Sequence, residues 1–285
     1  MLIALEEVGF TYLPGTPMAR RVLDGVDLSL REGEVVCLMG ASGSGKTTLL
    51  GVASGMLSPT RGKVFLDAVR VDDNPAGRRR LRGAVGVLFQ NPRRQLFAES
   101  VEKDVAFGPR NLGLRGRELA ERAREAMRAA GLEPGEYSHR SPFSLSDGEM
   151  RRAALAGVLA MRPRFLLLDE PSSGLDAPGR RRFRELISDL TRQGIGILMV
   201  THDWEEVESL ADRVVVLDGG KVAFTGTRER ALADAEAVSG AGIAPQPLAE
   251  LLSMLRRRGL LLPPRATSPA EAASLIAEAM GGRGR

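Results

Sequence analysis

The sequence predicts an α/β fold with a parallel-sheet core, an antiparallel β layer, an inserted helical subdomain and a small C-terminal helical extension. Three observations carry this. Apolar runs at Val35 to Met39, Phe165 to Leu168, Ile195 to Val200 and Arg213 to Leu217 are separated by helical stretches. Strands that are apolar throughout and alternate with helices belong to a parallel sheet covered on both faces. The first run leads through a glycine-rich stretch, Gly40 to Thr48, into Leu49-Leu50-Gly51-Val52-Ala53, which reads as the start of a buried helix. The second run ends in two adjacent carboxylates, Asp169 and Glu170.

The 285 residues allow one large α/β domain with a small appendage, or two modest domains. Hydrophobic residues make up 43% and aromatic ones only 4%, so the expected core is aliphatic. Cys37, the single cysteine, lies inside the first strand and reads as a small buried hydrophobe, which rules out a disulfide framework. The N-terminus shows no signal-peptide pattern. No apolar run approaches the ~20 residues that span a bilayer, so any membrane role has to come through partners. Arginine runs at 78–80, 180–182 and 256–258 raise the net charge to +4. They read as solvated helix faces rather than a nucleic-acid surface, because no aromatic residues interleave them.

Taken in order, residues 2–12 read as a strand ending in Tyr12, and Val22 to Leu30 as an alternating strand broken at Gly25. Lys63 to Val71 reads as one further strand, and the three together as an antiparallel layer. Val85 to Phe89 is a short apolar strand that delivers Gln90. Residues 91–160 turn mostly helical in pattern; Leu119, Ala123, Ala126, Met127 and Ala130 share one face, and Gly131 is a plausible cap. Lys221 to Thr225 closes the sheet antiparallel. Past residue 234 two amphipathic helices follow, the first with Leu248, Leu251, Leu252 and Leu255 in a stripe that stops at Gly259. The second opens on Ser268-Pro269-Ala270-Glu271, a capping-box pattern, and carries Ala272, Leu275, Ile276, Ala279 and Met280.

The spacing G-x-x-x-x-G-K-[ST], between a strand and a helix, is a phosphate-binding loop of the P-loop NTPase type. Gly40, Gly43 and Gly45, with Ser42 and Ser44 between them, let backbone N–H groups curl inward around anionic oxygens, and the helix N-terminus at Thr48 adds its dipole. Lys46 is placed to reach the β- and γ-phosphates of ATP and Thr47 to ligate Mg²⁺. Asp169 at a strand end suits a contact to that Mg²⁺. Glu170 then faces a water in line with the γ-phosphate.

Together these pieces resemble the ATPase subunit of ATP-binding cassette (ABC) transporters over about residues 1–230. Tyr12 sits where the adenine-stacking aromatic belongs, Gly40–Thr48 is the Walker A loop and Gln90 the Q-loop residue. Leu145-Ser146-Asp147-Gly148-Glu149 occupies the signature position, Phe165–Glu170 is Walker B, and Ser173-Gly174-Leu175-Asp176 is the D-loop. His202 is the switch histidine. Alone, Tyr12 reads as an edge-strand aromatic and His202 as a strand-end histidine; the order of the whole set assigns both. The resemblance implies that Gln90 senses Mg²⁺ and the attacking water, and that His202 hydrogen-bonds the γ-phosphate. It also implies a dimer, because in this family each nucleotide lies between one chain's Walker A loop and the other chain's signature, here Ser146 and Gly148.

A narrower resemblance is to the energy-coupling factor (ECF) ATPases. It rests on Val87 to Phe97, Val101 to Gly108, Met150 to Ala160, the opening Tyr12 to Pro17, and the helices after Gly242-Ile243. It implies an importer of a vitamin or transition-metal ion with a transmembrane T component, a substrate-binding S component and a second ATPase subunit, identical or related. The chain would sit at the cytoplasmic face of the membrane. Residues 1–234 would be the ATPase domain, with 91–160 its helical subdomain; 235–285 would be an extension that contacts the second ATPase or packs back on its own cassette. Rival readings are another ABC importer or exporter, a soluble ABC ATPase and a non-hydrolysing regulator. Glu170 opposes the last. The chain shows neither the long coiled coil of repair ATPases nor the paired cassettes of translation factors.

One departure stands out. The family usually has glycine at 147, where this chain has Asp147. Ser146-Asp147-Gly148-Glu149 is a well-formed capping box. A carboxylate at 147 would also meet the partner's γ-phosphate with like charge, unless it points away and serves only the helix start.

Overall fold

A computed structural model describes residues 1–240, 243–244, 246–263, 266 and 269–281. Ten strands form two sheets: β1 Leu2–Tyr12, β2 Arg20–Arg31, β3 Val35–Gly40, β4 Arg61–Leu66, β5 Val69–Arg70, β6 Val85–Leu88, β7 Phe165–Asp169, β8 Gly196–Val200, β9 Arg213–Asp218 and β10 Lys221–Thr227. The larger sheet runs β10-β9-β3-β8-β7-β6, parallel except for β10, which returns antiparallel to β9. The smaller runs β2-β1-β4-β5 and is antiparallel.

Successive side chains of a strand point to opposite faces, so β3 feeds two cores at once. Val36 and Leu38 pack toward the antiparallel sheet, with Leu5, Leu28 and Val64. Val35, Cys37 and Met39 pack toward the helices, with Val105, Met127 and Leu155. Burial pushes the Cys37 thiol well above its ordinary value. In native protein at about pH 8 it is expected to stay silent to a thiol reagent and to react only after denaturation; a fast native reaction would contradict this packing.

Lys63 to Val71 is not one strand. It folds as β4 and β5, with Leu66 paired to Val69 and Asp67 at φ 56 in the turn between them. Asp67 accepts from the Leu2 backbone N–H at 2.9 Å, which fixes the turn against β1. The local trace of that turn is Asp67, a residue type that tolerates positive φ, and a shift of the apolar positions from Val64 and Leu66 to Val69 and Val71. The helix Pro75–Ala84 stands between the hairpin and β6, in a stretch to which the sequence reading assigned no element. Asn74 caps it by accepting from Gly77 N at 2.7 Å, with proline at its start.

The stretch between β6 and β7 is helical, as expected. Its longest helices are Gly116–Ala129 and Asp147–Ala160. Leu119, Ala123, Ala126, Met127 and Ala130 are all buried. Gly131, at φ 77, ends the first of these helices: its N–H reaches Arg128 O, and Leu132 N–H reaches Met127 O at 2.8 Å. Gly259 ends the helix Pro247–Arg257 in the same way. The last helix spans Pro269–Gly281, and its proposed cap, Ser268, lies outside the described residues. These two helices share a small core of Leu252, Ala266 and Ala272. Among the described residues no helix is long and apolar enough to cross a membrane.

Candidate nucleotide site

Parallel strands end on the same edge of a sheet, and ligands of such folds bind beyond the carboxyl ends. Here that edge gathers Gly40 from β3, Gln90 just past β6, Asp169 at the end of β7 with Glu170 just past it, and His202 just past β8. All of them line one cavity of about 610 Å³, together with Tyr12, Ser42, Gly43, Gly45, Lys46, Thr47 and Thr48. Residues 165 to 202 in sequence become neighbours of residues 40 to 48 because β3 pairs with β8 and β8 with β7.

The loop has the geometry its glycines allow. Gly40 is at φ 151, and a Cβ there would lie 2.4 Å from Leu217 O; Gly45 is at φ 108 with Leu23 and Val22 against it. Ser44 is buried, and its hydroxyl has no partner. Lys46 folds back so that Nζ donates to Gly40 O at 2.7 Å and Ala41 O at 2.8 Å. Burial draws its pKa below the ordinary lysine value, while Glu170 and Asp169 pull the other way. Thr47 Oγ1 donates to Asp169 Oδ2 at 2.9 Å. Burial raises the Asp169 pKa, Thr47 opposes this, and Glu170 adds to it.

Glu170 sits at φ 47, an uncommon conformation for a residue with a side chain. Its N–H donates to Val200 O at 3.1 Å, and its carbonyl accepts from Arg151 Nη1. Its Oε2 accepts from Gln90 Nε2 at 2.9 Å. His202 Nδ1 stands 3.8 Å from Oε1, beyond hydrogen-bond length, and the imidazole is exposed. Tyr12 packs edge-on to Phe10, and its hydroxyl lies 3.2 Å from Thr48 Oγ1.

Ser146, Gly148 and Asp176 lie outside this cavity. Ser146 caps the helix Asp147–Ala160, and Glu149 completes the expected capping box. Hydrogen bonds from the Ser146 backbone and hydroxyl hold the Glu149 carboxyl below its usual range. Asp176 caps the helix Ala177–Arg192, accepting from Gly179 N at 2.8 Å.

Sequence reasoning missed two arginines. Arg151 donates to the Glu170 and Gln90 carbonyls, and so ties the helix Asp147–Ala160 to both strand ends. It lies four residues after Asp147 and therefore on the same helix face, which was a readable signal. Arg93 Nη2 reaches Asp147 Oδ1 at 3.2 Å across 54 residues, and no local pattern announces it. Thr201, next to His202 in the cavity lining, was missed too; its hydroxyl donates to Glu206, a buried carboxylate.

The three expected Mg²⁺ ligands in the cavity, Thr47, Asp169 and Gln90, offer one hydroxyl, one carboxylate and one amide oxygen. Among the described residues no group of three or more His, Cys, Asp or Glu could hold a metal ion. Such a set fits Mg²⁺ completed by nucleotide phosphates, since that ion is usually held by one or two carboxylates plus the substrate.

A glycine cradle, an inward lysine, a hydroxyl on a strand-end aspartate and a following glutamate define a P-loop nucleotide-hydrolase site. The profile of the ABC transporter family matches residues 23–173. The energy-coupling factor transporter ATP-binding protein EcfA2 of Symbiobacterium thermophilum is 41% identical over 99% of this chain and 98% of its own length. EcfA2 of Clostridium acetobutylicum is 38% identical over 91% of each. Among solved structures, cbiO1 of Clostridium perfringens, part of the ABC transporter complex cbiONQ, superposes with TM-score 0.72 at 34% identity. It covers 84% of this chain and 93% of that one. The dimeric cassette MJ0796 reaches TM-score 0.72 at 30% identity, over 79% and 98%. The chain belongs to the ABC transporter family of ATPases.

Proposed function

We propose that this chain is the ATP-hydrolysing subunit of an ECF-type importer, at the cytoplasmic face of the membrane, powering uptake of a vitamin or transition-metal ion. The observation that carries the reading is the convergence of the loop Gly40–Thr48, Gln90, Asp169, Glu170 and His202 on one cavity. The near full-length similarity to EcfA2 proteins supports the ECF branch. MJ0796 has been solved as a dimer and, in a post-hydrolysis state, with ADP and Pi, which supports ATPase pairing.

In this reading the loop N–H groups bind the phosphates and Tyr12 stacks on adenine. Lys46 leaves the Gly40 and Ala41 carbonyls for the γ-phosphate. Thr47, Asp169 and Gln90 would hold Mg²⁺, which supplies neutralisation of charge on the β- and γ-phosphate oxygens. Glu170 takes the proton of the attacking water, oriented by Gln90 Nε2. His202 swings its exposed imidazole toward the γ-phosphate. Ser146 and Gly148 stand ready for the nucleotide of the second ATPase subunit, with Asp176 close to that contact.

Membrane partners need apolar surface away from the nucleotide. Phe97 and Phe107 are 59% and 45% exposed and meet edge to face at 4.8 Å, outside the cavity. The test is co-expression with candidate T and S components. The chain should co-purify with them in detergent and hydrolyse ATP in that complex. Isolation of the chain without any membrane subunit, from cells that make all of them, would refute the transport reading.

For residues 235–285 we propose a contact with the second ATPase. Trp204 Nε1 donates to Ala244 O at 2.9 Å, and Ile243 packs on the cassette core, so the extension is moored at its start. Beyond that point Leu251 and Met254 remain 44% exposed, and Met280 63%. Removing residues 242–285 should weaken nucleotide-free association in sedimentation. An unchanged sedimentation profile would mean that the helices serve only their own cassette.

A further inference from the structure

A second cleft, of about 230 Å³, opens between the signature helix Asp147–Ala160 and the helix Ala177–Arg192, away from the nucleotide cavity. Its floor is apolar: Leu155, Leu175, Phe183 and Leu186. Its rim is cationic: Arg128, Arg152 and Arg182, with no carboxylate in the lining. Among the described residues these three arginines make no ion pair and no side-chain hydrogen bond. The Nε of Arg152 is buried, and its donor is unmet. A buried N–H without a partner costs about 1–3 kcal/mol, and a charged one more. A bound anion would satisfy it.

We propose that this cleft binds a small amphipathic organic anion, its aromatic or aliphatic body on Phe183 and the leucines and its carboxylate or phosphate on Arg128, Arg152 and Arg182. Guanidinium groups suit both head groups, because their planar fork pairs with two oxygens at once. The cleft is also placed to regulate. Arg151, in the same wall, donates to the Glu170 and Gln90 carbonyls, and Pro171 directly follows Glu170. An occupant wedged between the two helices holds that wall in place and slows turnover.

The probes are 1-naphthoate, 1-naphthyl phosphate and the neutral 1-naphthalenemethanol, titrated by their own fluorescence against the full chain with and without saturating ATP. Arg128 and Arg182 are exposed, so the double variant Arg128→Glu/Arg182→Glu should keep its fold, checked by its thermal midpoint. At least one anion should bind saturably, unaffected by ATP, and about tenfold or more tighter than the alcohol and than in the double variant. Whichever anion binds tighter decides between carboxylate and phosphate. Saturating anion should lower ATP turnover of the assembled complex, and not in the variant. No saturable anion binding, displacement by ATP, or equal affinity for the alcohol or for the variant would overturn the site. Unchanged turnover at saturation would overturn its regulatory role.

Discussion

Glu170→Gln should lower steady-state ATP turnover of the assembled complex by about 10²–10⁴-fold while ATP still binds, the usual loss when a positioned general base is removed. The substitution is close to isosteric. Glu170 holds its backbone at φ 47 through Val200 O and the Arg151 guanidinium, and neither contact involves the carboxylate. The fold of the site is therefore kept and only the proton acceptor is lost. Lys46→Ala is the contrasting variant. Lys46 is half-buried beside Asp169 and Glu170, so its charge balances theirs as well as the nucleotide's. Its removal should weaken ATP binding itself by about tenfold or more, as expected for a lost charged hydrogen bond. Turnover at the parental rate in Glu170→Gln, or nucleotide titrations of Lys46→Ala that match the parent, would remove those assignments.

The second large effect concerns Asp147. Its side chain is 81% exposed, and Arg93 Nη2 stands 3.2 Å from it. The carboxylate at the signature is thus partly masked by a cation from the turn after Gln90. Exposed pairs of this kind are worth only about 0–1 kcal/mol, so the mask is easily lifted. A carboxylate a few ångströms from a partner's γ-phosphate costs on the order of 1–4 kcal/mol at intermediate dielectric. Asp147→Gly should then raise turnover of the complex about fivefold or more, despite losing a favourable charge at the helix start. Arg93→Gln should lower it by unmasking the carboxylate. The double variant should match Asp147→Gly alone, because Arg93 then has nothing to screen. With an unlike ATPase partner only one of the two sites should respond. A fall in rate for Asp147→Gly, or a lower thermal midpoint at constant rate, would assign the carboxylate to the helix start alone.

The nucleotide loop was legible because its requirements are local. Gly40, Gly43 and Gly45 supply positive φ, Lys46 and Thr47 follow at fixed spacing, and a strand and helix flank them. The capping box at Ser146 and Glu149 and the ends of helices at Gly131 and Gly259 were legible for the same reason: each is a hydrogen-bond pattern within one turn. The parallel sheet was legible because strands buried on both faces must be apolar throughout. The β4–β5 turn was not read, since its only local trace is one aspartate, Asp67, and a one-residue shift of the apolar positions between Leu66 and Val69, with no glycine or proline to punctuate it.

What only the tertiary structure decided are the contacts between segments far apart in sequence. Strand order put β8 between β3 and β7, which brings Asp169 to Thr47, and β6 beside β7, which brings Glu170 to Gln90. Pairing of Arg93 with Asp147, the two carbonyls held by Arg151, and the arginine-rimmed cleft depend on how the helical segment leans on the sheet. Periodicity can place a long arginine on a helix face, as it does Arg151 with Asp147, but it leaves no trace of the partner that the side chain reaches across such a seam. Backbone conformation and burial are written locally, residue by residue; the partner of an exposed charge is set by the assembled surface.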